Sequence, residues 1–190
     1  PMPSMPLRFW NDEGDRRLRD SYFDEFPGVW RHGDWVEFTP RGGAIIYGRS
    51  DATINRHGIR MGTGELYGAV EALPEIADSL VVDLEYLGRE SWMPLFVVLR
   101  PGHELTPALL ATLRERIKTA LSARHVPNEI CQVAEIPRTL SGKKMELPVK
   151  KLLLGQAIDK VANPDAMANP ASLQWFVDFA ARRAAPEQSA

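Results

Sequence analysis

At 190 residues the chain can hold one sizeable core, or about one and a half domains. A hydrophobic fraction of 44%, a charged fraction of 25% and a formal net charge of -2 describe an ordinary globular protein and give no footing for nucleic-acid binding. No apolar run approaches the roughly 20 residues of a membrane span. The opening Pro1-Met2-Pro3-Ser4-Met5-Pro6 has no basic region leading into an apolar one, so it does not read as a secretory signal. The single cysteine, Cys131, excludes an internal disulfide and reads as a small core residue. Together these features point to the cytoplasm.

Residues 1–30 carry three prolines in the first six positions and then Tyr22, Phe23, Phe26 and Trp30. So short a segment cannot bury that many rings by itself, so it is expected to pack against the rest of the chain or a further domain. Residues 33–49 predict a β-hairpin, with Trp35–Phe38 and Ala44–Tyr47 as β-prone runs around the Pro/Gly turn Thr39-Pro40-Arg41-Gly42-Gly43. Asp34, at the mouth of the first strand, reads on local grounds as a strand-end cap.

Residues 48–67 hold four glycines, three arginines and two acids. Glycine at that density marks backbone that turns sharply or admits close approach, and arginines in such a loop suit phosphate or carboxylate. A solvated turn with its arginines on display fits the same composition. Thr63–Leu73 predicts a helix capped by Thr63 and stopped by Pro74. Ser79–Leu84 and Leu95–Leu99 predict strands around a turn at 87–90, the second buried on both faces. Thr106-Pro107 is a helix start, and Leu109, Leu113, Ile117 and Leu121 give that helix one apolar stripe. A short strand is expected over Glu129–Val133. One or two helices follow from Pro148 to about Val161, and another from Pro170, capped by Asn169, to about Arg183. The order from residue 52 predicts an α+β fold, a small mixed β-sheet with helices packed on it, ending in a frayed tail over Ala184–Ala190.

Thr139-Leu140-Ser141-Gly142-Lys143-Lys144 ends in Gly-Lys but is not a nucleotide phosphate loop. It has no glycine five positions before Gly142, and Lys144 stands where a Ser or Thr should hold magnesium. Alone, Lys143 reads as a solvated loop lysine. Taken with the Gly48-Arg49-Ser50-Asp51 loop, the Gly58-Ile59-Arg60 step and the Gly64-Glu65 helix start, Pro137-Arg138-Thr139-Leu140-Ser141-Gly142-Lys143 resembles the C-terminal part of the adenylate-forming acyl-CoA synthetases. Within that superfamily the chain is most similar to the acetoacetyl-CoA synthetases. That finer resemblance is carried by His32–Trp35, Ser122–Pro127, Ser141–Glu146 and the Asn169-Pro170 segment, and it runs from Phe9 to about Phe179.

The resemblance implies a set of roles. Asp34 would bind the ribose hydroxyls of ATP, Arg49 the ribose or the phosphates, and Arg60 the adenylate phosphate. Asp51 would be the hinge of a swinging domain. His57 and Gly58 would flank the path of the coenzyme A pantetheine arm, and Lys143 would be the catalytic lysine of adenylate formation. The substrates implied are acetoacetate, ATP with Mg2+ and coenzyme A. Most of the ATP and metal contacts would come from a large N-terminal adenylation domain that these residues do not supply. On this view residues 1–50, with a hairpin at about 34–48, trail from that large domain, and 51–190 form the mobile C-terminal domain. The chain is then a piece of a ligase, inactive by itself. Relatives often carry an arginine a few residues after the lysine; here Lys144, Met145 and Glu146 follow, and no role for that arginine transfers. Lys118 could meet the coenzyme A 3′-phosphate, although a solvated helix lysine reads as well. Two other readings stay open: an acetyl- or propionyl-activating synthetase, and a non-catalytic interaction module of the same fold.

Overall fold

The computed structural model describes residues 5–49, 54–56, 59–84 and 91–184. The chain divides between Asp34 and Trp35 into two compact units.

In the first unit the Asp12 carboxylate accepts the backbone N–H groups of Arg17 and Leu18, both at 2.9 Å, and so starts the short helix α1 (Arg16–Tyr22). The aromatic residues of this segment largely cover one another. Tyr22 stacks on Trp30 with ring centroids 3.9 Å apart, and Phe23 meets Trp30 edge-on. Leu7, Trp10 and Phe26 remain exposed.

β1 (Asp34–Phe38), which begins on the last residue of the first unit, and β2 (Ala44–Arg49) form the expected hairpin. Thr39 N–H donates to Gly43 O and Gly42 N–H donates to Thr39 O, both at 2.9 Å, with Gly42 at φ 81°. A three-residue loop of this kind needs a left-handed residue at its corner, which glycine supplies without strain. Val36, Phe38, Ile45 and Ile46 on this hairpin are exposed. The glycine-rich stretch that follows contains more order than its composition announced. β3 (Ile54–Arg56) pairs antiparallel with β4 (Ile59–Met61), Asn55 opposite Arg60.

Helix α2 (Thr63–Glu71) starts one residue earlier than a Thr63 cap would allow. Gly62 is its extended N-cap, and no side chain caps it. β5 (Ile76–Val81) and β6 (Pro94–Leu99) are antiparallel, and β7 (Glu129–Gln132) adds to β6 in parallel. Between β6 and β7 runs α3 (Pro107–Ala120), started by Pro107 and by the Thr106 hydroxyl, which accepts the Leu109 N–H at 3.2 Å. The first strand of this sheet begins and ends earlier than the apolar run Ser79–Leu84 suggested, and Leu84 pairs only as an isolated bridge to Trp92. The turn expected at 87–90 and the tail beyond Ala184 lie outside the described residues. After α4 (Glu146–Leu153) come the one-turn helix α5 (Ile158–Val161) and α6 (Ser172–Ala184).

Side chains alternate across the sheet, so each strand feeds two cores. From β6, Leu95 and Val97 enter a cluster with Leu66 and Val70 of α2 and Leu109, Leu113 and Ile117 of α3. Phe96 points the other way, to Val149 and Leu152 of α4 and Leu173, Phe176 and Phe179 of α6. The sheet is thus covered by helices on both faces, an α+β arrangement that explains why the Leu95–Leu99 run is nearly all apolar. Cys131 is half-buried beside the second of these clusters rather than inside it. Among the described residues no helix is long and apolar enough to cross a membrane.

Candidate functional site

The turn that carries Lys143 repeats the chemistry of the first hairpin loop. Thr139 N–H donates to Lys143 O at 2.9 Å, Gly142 N–H donates to Thr139 O at 2.8 Å, and Gly142 sits at φ 81°. The Thr139 hydroxyl accepts the Lys143 N–H at 3.1 Å and lies 3.0 Å from the Ser141 hydroxyl. Thr-x-Ser-Gly-Lys is therefore a set of backbone instructions: an acceptor at the first position, a left-handed corner at the fourth, and the lysine just past it. Arg138 and Lys144 pair as an isolated bridge at the base of the turn, and Thr139 bridges to Met167.

The two adjacent lysines leave this turn in opposite directions. Lys143 is exposed, and no ion pair or hydrogen bond engages its ammonium among the described residues. Lys144 is only 15% exposed at its side chain. Its ammonium donates to Glu71 Oε1 at 2.5 Å and to Ser79 O at 2.6 Å, lies 3.0 Å from Asp78 Oδ1, and sits 3.8 Å from the Tyr67 ring centroid. Arg138 completes the cluster. Its Nε and Nη2 donate to Asp78 Oδ2 at 3.1 and 2.6 Å, and its Nη1 donates to Gly142 O at 2.5 Å.

Two acids and two bases are thus interlocked beneath the turn, which is how buried charge is tolerated. Burial pushes the Asp78 carboxyl up, but hydrogen bonds from Arg138 and Lys144 outweigh it and hold the group below its usual 3.8. Burial, reinforced by the Glu146 carboxylate, pushes the Tyr67 phenol well above its usual 10. The phenol stays protonated, donates to Glu146 Oε1 at 2.5 Å, and accepts the Val81 N–H at 3.2 Å. Lys143 therefore projects from a turn pinned to α2 and β5. A free ammonium on such a mount can meet an anion brought from outside and cannot spend its charge internally.

The other residues implied by the sequence are distributed more widely. Asp34 opens β1 with its side chain 16% exposed, and His32 Nδ1 lies 2.5 Å from Asp34 Oδ2. Arg49 ends β2 and Arg60 is the middle residue of β4, opposite Asn55; the side chains of both lie outside what the structure describes. Asp51, His57 and Gly58 lie outside the described residues altogether. Lys118 is exposed on α3 and pairs with Glu115 at 3.6 Å, as a solvated helix lysine does. Arg138 stands in the Pro137–Lys143 motif without a role assigned to it, and Asp78, Glu71 and Tyr67 were not announced by the sequence. One signal was available: Arg138 and Lys144 flank the turn symmetrically. Glu71 and Asp78 carry no motif at all.

Residues 68–143 match the family described as the AMP-binding enzyme C-terminal domain. This stretch is similar to the domains of that family. Its matched segment opens inside α2 and closes on Lys143 itself. Beyond that C-terminal domain the resemblance extends over nearly the whole chain. The acetoacetyl-coenzyme A synthetase of Rhizobium meliloti (strain 1021) is 47% identical over 92% of this chain and 26% of its own length. The acetoacetyl-CoA synthetase of Macaca fascicularis is 42% identical over 94% of this chain and 26% of its own length. The chain thus spans about a quarter of the length of the curated relatives it matches. Among solved structures, acetoacetyl-CoA synthetase from Streptomyces lividans superposes with a TM-score of 0.88 at 51% identity, over 97% of this chain and 27% of that one.

Proposed function

We propose that this chain is the C-terminal part of an ATP-dependent acetoacetate–CoA ligase. In the first half reaction the acetoacetate carboxylate attacks the α-phosphorus of ATP, giving acetoacetyl-adenylate and releasing pyrophosphate. In the second, the coenzyme A thiol attacks the acyl carbon, giving the thioester, and AMP leaves. The observation that carries this reading is the exposed ammonium of Lys143, without a partner among the described residues, on a braced turn in a chain that resembles acetoacetyl-CoA synthetases along nearly its full length.

The first half reaction brings two anions together. A cation fixed beside them in a closed site lowers that barrier by about 3 kcal/mol, roughly a hundred-fold in rate. Lys143 takes that part. Asp34 holds the ribose hydroxyls, Arg49 the ribose or phosphates, and Arg60 the adenylate phosphate. ATP brings its Mg2+ largely on the preceding adenylation domain, to which residues 1–50 belong. The exposed Val36, Phe38, Ile45 and Ile46 of the hairpin suit a surface covered in the intact protein. Residues 51–190 swing about Asp51, so that His57 and Gly58 replace Lys143 at the site and admit the thiol arm.

The test is a split of half reactions in the full-length protein. Lys143→Ala slows acetoacetate-dependent pyrophosphate exchange about a hundred-fold while supplied acetoacetyl-adenylate is still converted to thioester; Gly58→Leu spares exchange and slows the thioester step. Loss of the same half reaction in both variants would refute a two-faced domain.

A further inference from the structure

We infer that Arg138 is a positioning residue for Lys143, acting by locking the peptide plane from which the lysine springs; this rests on the ligase reading above. The carbonyl of Gly142 belongs to the peptide bond that joins Gly142 to Lys143. Arg138 Nη1 donates to that carbonyl at 2.5 Å while the other side of the same guanidinium grips Asp78 Oδ2 at 2.6 and 3.1 Å. The Asp78 side chain is only 18% exposed and sits on β5 at the far end of a register shift between Ile76 and Asp78. A bulge of that kind re-aims a side chain. The guanidinium thus ties the glycine corner of the loop to the body of the sheet.

The other end of Arg138 is fixed as well. Its backbone N–H donates to Asn169 Oδ1 at 2.9 Å, and the Asn169 amide donates to Ile136 O at 3.0 Å. A planar fork with donors on two sides can serve a carboxylate and a carbonyl together; a lysine, a single point charge on a flexible stem, cannot hold both. Gly142 sits at φ 81°, and without a Cβ its backbone is less restrained than that of any other residue type. The corner just before Lys143 is therefore the place where the loop most needs an external clamp.

The experiment uses the full-length protein with Arg138→Met, Arg138→Lys, Lys143→Ala and the double variant Arg138→Met/Lys143→Ala. Arg138→Met is expected to slow acetoacetate-dependent pyrophosphate exchange about a hundred-fold, the scale set by an ångström of misplacement. The loss falls mainly on kcat, and thioester formation from supplied adenylate stays within about two-fold. Arg138→Lys, which can still reach Asp78, recovers part of the exchange rate. The double variant loses no more than Lys143→Ala alone, because a residue that acts only through Lys143 has nothing left to position. Equal damage to both half reactions, a further loss in the double variant, or normal exchange in Arg138→Met beside a slowed Lys143→Ala would overturn the positioning role. Normal exchange in Lys143→Ala would instead remove the ligase reading, and this inference with it.

Discussion

Replacing one of two neighbouring lysines should wound the fold, and replacing the other should not. Lys144→Met keeps an unbranched stem against the Tyr67 ring but deletes the ammonium that Glu71, Asp78 and Ser79 O share. Side-chain exposures of 15% for Lys144, 18% for Asp78 and 34% for Glu71 place this cluster nearer the buried limit than the surface one. Removing one partner of a buried pair costs about 3–5 kcal/mol, whereas a surface pair is worth about 0–1. Water reaches Glu71, so about 3 kcal/mol is the expected cost. For a chain of this size each kcal/mol lowers the melting temperature by about 2–4 °C, which gives a fall of about 6–12 °C. Lys143→Ala removes an exposed side chain with no partner among the described residues, and should stay within about 0.5 kcal/mol, or 2 °C. Thermal unfolding of the 190-residue chain and both variants at pH 7, followed by circular dichroism, measures the contrast. Lys144→Met melting with the parent, or Lys143→Ala falling as far, would refute the inward and outward assignment.

Phe176→Ala should cost about 3–5 kcal/mol, because Phe176 is fully buried with its ring centroid 4.9 Å from that of Phe96; the urea midpoint should fall with little change in slope. Asp78 supplies a pH signature. Its folded pKa lies below the usual 3.8, so its charge adds stability at neutral pH, and that share is lost as pH falls through the folded value. Urea midpoints measured between about pH 5 and 2 should therefore decline less steeply in Asp78→Asn than in the parent, and parallel curves would contradict the assignment. Burial and the Glu129 carboxylate push the Cys131 thiol up to about 12, leaving almost no thiolate at pH 8. An aromatic disulfide reagent should label it slowly in the native chain and promptly in denaturant; prompt native labelling would show a more reactive thiol.

Much of the fold was open to reading because it rests on local physics. Leu109, Leu113 and Ile117 recur at helical spacing and all three are buried; Thr106 and Pro107 start their helix as their chemistry requires. The apolar run at 95–99 implied a strand covered on both faces, and Phe96 and Leu95 indeed feed opposite cores. Boundaries failed where tertiary pairing overrode composition. The glycines and arginines of residues 48–67 suggested a sharply turning loop, yet β3 and β4 pair within it, since three residues on each side suffice for a ladder. Thr63 looked like a cap because caps are local signals, but the helix begins on Thr63 itself, with Gly62 as its N-cap. In the site, Lys143 was legible as a motif, whereas its support was not. Asp78 lies 60 residues from Arg138, and Glu71 lies 73 from Lys144. No periodicity links positions that far apart; only the packing of α2 and β5 against the turn brings them together.

That same support accounts for why a motif lysine can stay available at all. Extended backbone sends successive side chains to opposite sides. At the base of the turn Lys144 pairs with Arg138 across an isolated bridge and turns inward to two carboxylates and a carbonyl. Its neighbour Lys143 must then face away from them, with the left-handed corner at Gly142 setting where the chain re-enters the bridge. The acids beneath the turn would capture any ammonium within reach, and Lys144 and Arg138 already satisfy them. Each inward cation therefore does two things: it closes the turn, and it leaves the acids no use for a third. The charge on Lys143 stays outside the fold's own accounts, which is the condition for offering it to a bound anion.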